Sequence, residues 1–216
     1  MKLLTFYSDS HEQMYERYFL ESFNKQLSHY KLHAKRIDQI SQTGEYESQG
    51  FDLTMLQKIE MIISSIDIHE QPFVYADCDV QFFGDIAYDL GDYDILFQQD
   101  YFSDNYCAGF FIAKQSEKVL KFFFDVRSAF VMQMNGTIHD QTIINQMLRS
   151  GYPIKVGMLP IDKYWTAAFA TGGSIWSGQD INVPKGIVMH HANFTVGVQN
   201  KIDLLEKVKS KLNIAI

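Results

Sequence analysis

Apolar residues fall along the chain in two rhythms. Residues 2–7 form a run with Leu3, Leu4, Phe6 and Tyr7, the pattern of a strand buried on both faces. Ser8-Asp9-Ser10 interrupts it. Met14, Tyr18, Phe19, Phe23 and Leu27 then recur at helical spacing, with Ser10 and Gln13 placed as a capping box. Leu32 to Ile37 predicts a second strand and the polar stretch 41–50 a loop. Asp52 is placed to cap a helix whose apolar stripe is Leu53, Leu56, Ile59 and Ile63, with Lys58 off that stripe. Pro72 leads into the short apolar strand Phe73-Val74-Tyr75-Ala76, which stops at Asp77-Cys78-Asp79. Further strands are predicted at 94–98 and 107–113. Ser116 caps a helix to about Met132, with Val119, Leu120, Phe123 and Phe124 inward. Another helix runs from Asp140 to Arg149 and stops at Gly151 and Pro153. Short strands near 154–159 and 187–191 and an amphipathic helix over 202–212 complete the pattern.

Strands alternate with helices over the first half of the chain. That order predicts an α/β fold, a Rossmann-like, mostly parallel mixed sheet flanked by helices, with ligands at the carboxyl ends of strands. Repeats, low-complexity tracts and linkers are not seen in the sequence, so residues 1–216 are read as one domain.

Composition narrows the function classes. A 46% hydrophobic and 21% charged chain of 216 residues can bury a full core. Its net charge of -7 argues against nucleic acid as a partner, although a bound cation would still admit one small phosphorylated ligand. The 17 Phe and 12 Tyr leave rings to spare for stacking on a base or a sugar. Two cysteines, Cys78 and Cys107, form no disulfide framework or zinc spacing, which suggests a reducing compartment. The opening apolar run is too short for a signal peptide and no later run matches a transmembrane segment. The expectation is a cytoplasmic protein.

The chemistry is concentrated in Tyr75-Ala76-Asp77-Cys78-Asp79-Val80. An apolar strand delivers two carboxylates at i and i+2 where it ends, and in strand geometry they share a face. Neighbouring carboxylates repel unless a positive charge lies between them. A hard cation such as Mn²⁺ or Mg²⁺ meets that need and completes its shell with substrate phosphates. A polar turn after a strand is the plain alternative. Four further features bear on the choice. The turn from Thr5 to Ser10 places backbone N–H groups and the Tyr7 ring where a nucleotide can lie. Lys58, on the helix before the Asp strand, can reach a nucleotide, or can simply be solvated. Asp140 and Gln141 open a helix, where an acid is favoured electrostatically in any protein. His190 and His191 end a late strand and offer an imidazole to a metal, or are ordinary surface histidines, while Lys201 can neutralise a diphosphate.

In their order along the chain, these motifs resemble the nucleotide-diphospho-sugar transferases of the GT-A fold, in particular small glycosyltransferases related to families 8 and 77. The resemblance covers about residues 3 to 202. It implies a metal site of Asp77, Asp79 and His191, with His190 as the fallback. It places Thr5 and Tyr7 against the base and the backbone of Cys78 near the ribose. Lys58 and Lys201 would lie near the nucleotide and its diphosphate, and Asp140 and Gln141 would face the transferred sugar and the acceptor. Cys107-Ala108-Gly109 stands where relatives often have Asn-Ala-Gly or Asn-Ser-Gly contacting the donor sugar, and the Lys-Pro-Trp ending near the late lysine is missing. The implied activity is metal-dependent transfer of a sugar, with retention of anomeric configuration, from a UDP-sugar (a hexose or deoxyhexose) to a glycan or other hydroxyl acceptor. The segment 162–182, with Trp165, Phe169, Gly172, Gly173 and Trp176, reads equally as an acceptor loop, whose rings pack on sugar faces, and as an irregular buried hydrophobic loop. A sugar-phosphate nucleotidyltransferase and a non-catalytic sugar-nucleotide-binding module are the rival readings. Ser8-Asp9-Ser10-His11-Glu12 lacks the basic, glycine-rich loop expected of the former.

Overall fold

A computed structural model of the chain describes residues 1–41, 48–102, 104–134, 136 and 138–212. Strand β1 (Lys2–Tyr7) leads into a helical run in four pieces: a 3-10 turn (Asp9–His11), α1 (Glu12–Met14), a π-helix (Tyr15–Leu20) and α2 (Glu21–Gln26). The predicted capping box does not form. The first cap is Ser8, without a side-chain bond, and the Ser10 hydroxyl is 2.8 Å from His11 Nδ1 instead. A π-turn widens the helix here, and Tyr15, Tyr18 and Phe19 are buried together. β2 (Lys31–Arg36) is an edge strand. Most of the predicted 41–50 loop lies outside the described residues.

α3 (Phe51–Ser65) is capped by Gly50 at φ 84°, not by Asp52, whose carboxylate instead accepts from the Leu53 and Gly136 N–H groups. Its buried face is Ile59, Met61 and Ile62, and Leu53 is exposed. β3 (Phe73–Ala76) is followed by the three-residue β4 (Val80–Phe82), then β5 (Ile95–Gln99) and β6 (Tyr106–Ala113). α4 (Glu117–Gln133) has the predicted cap, with Ser116 Oγ accepting from Val119 N–H. Its inward residues include Val119, Phe122 and Phe123, whereas Phe124 faces solvent. α5 (Asp140–Arg149) matches its predicted bounds. β7 (Val156–Leu159), β8 (Tyr164–Thr166), α6 (Ala168–Thr171), β9 (Met189–His191) and α7 (Val198–Lys211) follow.

The main sheet has the order β2-β1-β3-β6-β5-β7, and a second sheet has the order β4-β9-β8. The pairs β1–β2, β1–β3 and β5–β7 are parallel, while β6 runs antiparallel to both its neighbours. The sheet is thus mixed and mostly parallel, as predicted. Period-two alternation sends each strand's residues to two cores. Leu3, Val74, Ala76, Leu96, Phe110 and Ile112 pack with Phe19, Phe82, Trp165 and Leu205 on one face. Leu4, Phe73, Tyr75, Phe97 and Phe111 pack with Ile59, Ile62, Phe123 and Ile143 on the other. Because β6 is reversed, its amino end lies beside the carboxyl ends of β3 and β5. Polar residues from all three strands therefore meet at one edge of the sheet.

Candidate active site

A cleft of about 710 Å³ opens at that edge, within the usual range for a small-molecule site. Its floor is the turn after β3. Asp77 N–H donates to Gly109 O at 2.8 Å and Val80 N–H to Asp77 O at 3.1 Å. Ala192 N–H donates to Asp79 O at 3.0 Å, which ties the end of β9 to the same turn. His191 Nε2 thereby comes within 3.2 Å of Asp79 Oδ1. One ligand atom each of Asp77, Asp79 and His191 lies within 4.8 Å of the others, the one such cluster among the described residues. Two carboxylates and an imidazole form a donor set that can hold a divalent cation.

The space beside these donors depends on Gly109. In the β5–β6 ladder Phe97 pairs with Phe111 but Gln98 pairs with Cys107, so residues 108–110 have no register partner on β5. Bulges of this kind re-aim backbone near functional sites. A Cβ at 109 would stand 2.2 Å from His191 Cε1 and 2.7 Å from Asp77 Oδ2. Gly109→Ala is therefore expected to displace His191 and lower stability by about 1–3 kcal/mol, the range for overpacking. Denaturant unfolding checks this, and wild-type stability would show that the site yields freely.

Opposite charges also hold the cluster together. Burial opposes ionisation of Asp79, yet Lys201 (Nζ 2.6 Å from Oδ2) and His191 keep its carboxyl well below the usual range. His191 is buried, which disfavours its charge, but Asp79 raises its pKa to about 10. His190 has the opposite fate. Burial lowers it to about 3, it packs against Trp165 with ring centroids 5.4 Å apart, and it does not line the cleft. The geometry thus selects His191 over His190.

On the far side of Asp77 stands Lys58. Its side chain is 3% exposed, with Nζ 3.2 Å from Asp77 Oδ1 and 2.9 Å from Asp140 Oδ2. The sequence places it off the apolar stripe, and that is why it faces the cleft: it is buried among carboxylates rather than solvated. The Tyr75 hydroxyl also donates to Asp77 Oδ1. Burial pushes the Asp77 carboxyl up despite Lys58.

The amino end of α5 closes the third side. Gln141 Oε1 accepts from Ala108 N–H at 3.1 Å, and Nε2 donates to Asp100 Oδ2 at 2.8 Å. One turn on, Asn145 exchanges two 2.8 Å bonds with the Tyr106 backbone and donates to Gln141 O at 2.8 Å. α5 is thus stitched to β6, and Asp140 and Gln141 are held in the cleft.

Of the remaining predicted residues, Tyr7, Cys78, Cys107, Ala108, Gly109 and Lys201 line the cleft. The Tyr7 ring stacks on Tyr15 at 4.0 Å. Cys78 is buried, and burial raises its thiol pKa. Thr5 is a correction: its side chain is wholly buried within the sheet, and Phe6, Ser8 and His11 line the cleft in its neighbourhood. For Trp165 and Trp176 the structure follows the buried reading of 162–182, since both rings are core. From that segment it is Gly173 and Ile175 that reach the cleft. Sequence reasoning missed Asp100, Asn145, His11 and Asn193. Asp100 was discoverable, because Gln98-Gln99-Asp100 ends an apolar strand just as Asp77 does. Asn145 had the weaker signal of a polar residue one turn after Gln141.

The sequence profile of the nucleotide-diphospho-sugar transferases matches residues 17–205. The chain belongs to this family. Solved structures agree on the GT-A fold. A galactosyltransferase, LgtC, in complex with donor and acceptor sugar analogs is 14% identical, with a TM-score of 0.59 over 95% of both chains. A glycosyltransferase involved in glycosylation of the major capsid of PBCV-1 is 11% identical, with a TM-score of 0.65 over 95% of this chain and 99% of that one. The glycosyltransferase GlyE of Streptococcus pneumoniae TIGR4 is 16% identical, with a TM-score of 0.60 over 98% of this chain, which spans only 63% of GlyE. No curated protein sequence matches. Family membership makes the chain a glycosyltransferase and sets the nucleotidyltransferase reading aside. No helix among the described residues is long and apolar enough to cross a membrane.

Proposed function

We propose that this glycosyltransferase moves a sugar from a UDP-hexose or UDP-deoxyhexose to a hydroxyl of a glycan or other acceptor, with divalent-metal dependence and retention of configuration. The observation that carries the reading is the convergence of Asp77, Asp79 and His191 in one cleft with Lys58, Asp140, Gln141 and Lys201. Asp77, Asp79 and His191 would hold Mn²⁺ or Mg²⁺, which when bound supplies Lewis-acid stabilisation to the departing diphosphate. Tyr7, backed by Tyr15, offers a ring face to the base, and the backbone of Cys78 lies at the level of the ribose. The Lys201 ammonium adds positive charge where the leaving diphosphate gains negative charge. Lys58 keeps Asp77 and Asp140 mutually tolerable in a buried site. Asp140 and Gln141 stand nearest the reacting carbon. The bond from that carbon to the phosphate oxygen breaks through an oxocarbenium-like state, and carboxylate and amide oxygens facing it stabilise the developing positive charge. Cys107-Ala108-Gly109 forms the sugar-facing wall. We also infer a single GT-A domain over residues 1–216 and a cytoplasmic setting, in keeping with the free thiols of Cys78 and Cys107.

Thermal unfolding with UDP, with and without Mn²⁺, tests this reading. A ligand at about 100 times its Kd stabilises by about 2.7 kcal/mol, or about 5–11 °C for a chain of this size. The shift should require Mn²⁺ and vanish in Asp79→Asn. No shift with UDP or any other nucleoside diphosphate would remove the donor assignment. Asp140→Asn, which keeps a hydrogen-bond partner for Lys58, should bind donor within about threefold of wild type but lower kcat about 10²-fold. Weakened donor binding at unchanged kcat would move Asp140 from the reacting carbon to the nucleotide.

A further inference from the structure

His191 is held from behind by one residue that no motif marks. Gln98, on β5, is wholly buried. Its Nε2 faces two backbone carbonyls, Tyr164 O at 3.5 Å and Trp165 O at 3.4 Å. Carbonyls only accept, so the amide nitrogen must point to them and Oε1 must point the other way. That oxygen lies 2.9 Å from His191 Nδ1. An amide oxygen only accepts, so Nδ1 must carry the proton. In the neutral ring the lone pair is then on Nε2, the nitrogen that faces Asp79. The other neighbour of Nδ1, Cys107 Sγ at 3.7 Å, is more distant and itself accepts from Asn193 Nδ2. The break in register between Phe97 and Gln98 sets Gln98 opposite Cys107, at the level of the site.

We infer that Gln98 is a positioning residue of the metal centre: it fixes the tautomer and ring orientation of His191 so that Nε2 is the free donor toward the Asp77–Asp79 pair. The inference rests on the metal reading above. Partners of this kind typically change metal affinity 10–100-fold when removed. The chain of constraint runs from the β8 backbone through Gln98 to His191, which gives the small second sheet a part in the site.

Electron paramagnetic resonance of free Mn²⁺ during titration of the protein tests the assignment without any turnover. Gln98→Met, close in shape but without an acceptor, is expected to weaken Mn²⁺ binding about 10–100-fold. Gln98→Glu, which restores an acceptor opposite Nδ1, should remain within about threefold of wild type. Equal losses in both variants, or wild-type affinity in Gln98→Met, would overturn the inference. A variant that fails to fold is bypassed on the wild-type protein. With Mg²⁺ bound, ¹H–¹⁵N correlations of the His191 ring should show protonation at Nδ1, and protonation at Nε2 would overturn the assignment. Failure of the wild type to bind Mn²⁺ at all would refute the metal reading itself, and this inference with it. Binding by wild type with unchanged binding by Gln98→Met would refute only the role of Gln98.

Discussion

Asp79→Asn is expected to lower kcat for sugar transfer by at least about 10²–10³-fold, the loss seen when one preorganised electrostatic group is removed from a reacting centre. Asp79 is 4% exposed, and its two oxygens face His191 at 3.2 Å and Lys201 at 2.6 Å. Asparagine preserves the shape but removes the charge that both cations, and a divalent ion, require. An amide also puts N–H donors where the carboxylate had only acceptors, turning one of them toward Lys201 or His191. The fold should survive. Lys201 is 24% exposed and can turn to solvent, and His191 can release its proton. Steady-state kinetics with saturating Mn²⁺, beside a thermal unfolding curve, decides the matter. Undiminished turnover would take the metal out of the mechanism, and a lost unfolding transition would show that Asp79 serves the fold first.

The parts legible in the sequence are those where one physical rule dominates. β3 and the turn into Asp77 were readable because an apolar run ends abruptly in charge. α5 was readable because a charged start, an apolar period and Gly151 agree with one another. α4 is legible at its cap, but its apolar period is too dense to show that Phe124 faces solvent. The three-residue strands β4 and β8 carry too little pattern to detect, although they form the sheet that delivers His191. The capping box at Ser10 failed because Ser10 bonds the His11 ring instead. Thr5 failed because in a doubly covered strand the cleft begins only where the strand ends. Lys58 taught the opposite lesson. A polar residue off an apolar stripe faces solvent only if solvent is what lies there, and here α3 turns that face toward Asp77 and Asp140. Gln98 was invisible because its role depends on two carbonyls sixty-odd residues away.

The second large effect is expected from Lys58→Met, which should lower stability by about 3–5 kcal/mol, the usual result of leaving a buried charge without its partner. Methionine matches the four-atom stem of lysine and keeps its packing, so the loss isolates the ammonium. That group serves Asp140, whose side chain is 6% exposed, and Asp77 together, and it lies 4.8 Å from the centroid of the Tyr75 ring. Burial disfavours its charge, but the two carboxylates raise its pKa above the ordinary lysine value. Without it, the buried Asp140 carboxylate loses its counter-charge and stands beside Asp77, and one of the two must take up a proton or move away. Activity should fall with stability, since both are assigned to the reaction. The two effects can be separated by adding Asp140→Asn. The double variant removes one of the stranded charges and should recover part of the lost stability, a coupling of roughly 1–3 kcal/mol in a double-mutant cycle, without recovering turnover. Denaturant unfolding of the wild type, both single variants and the double variant gives the cycle directly. A single-variant loss under about 1 kcal/mol would mean that water, not Lys58, compensates these carboxylates. Purely additive losses would mean that Lys58 and Asp140 act through separate neighbours.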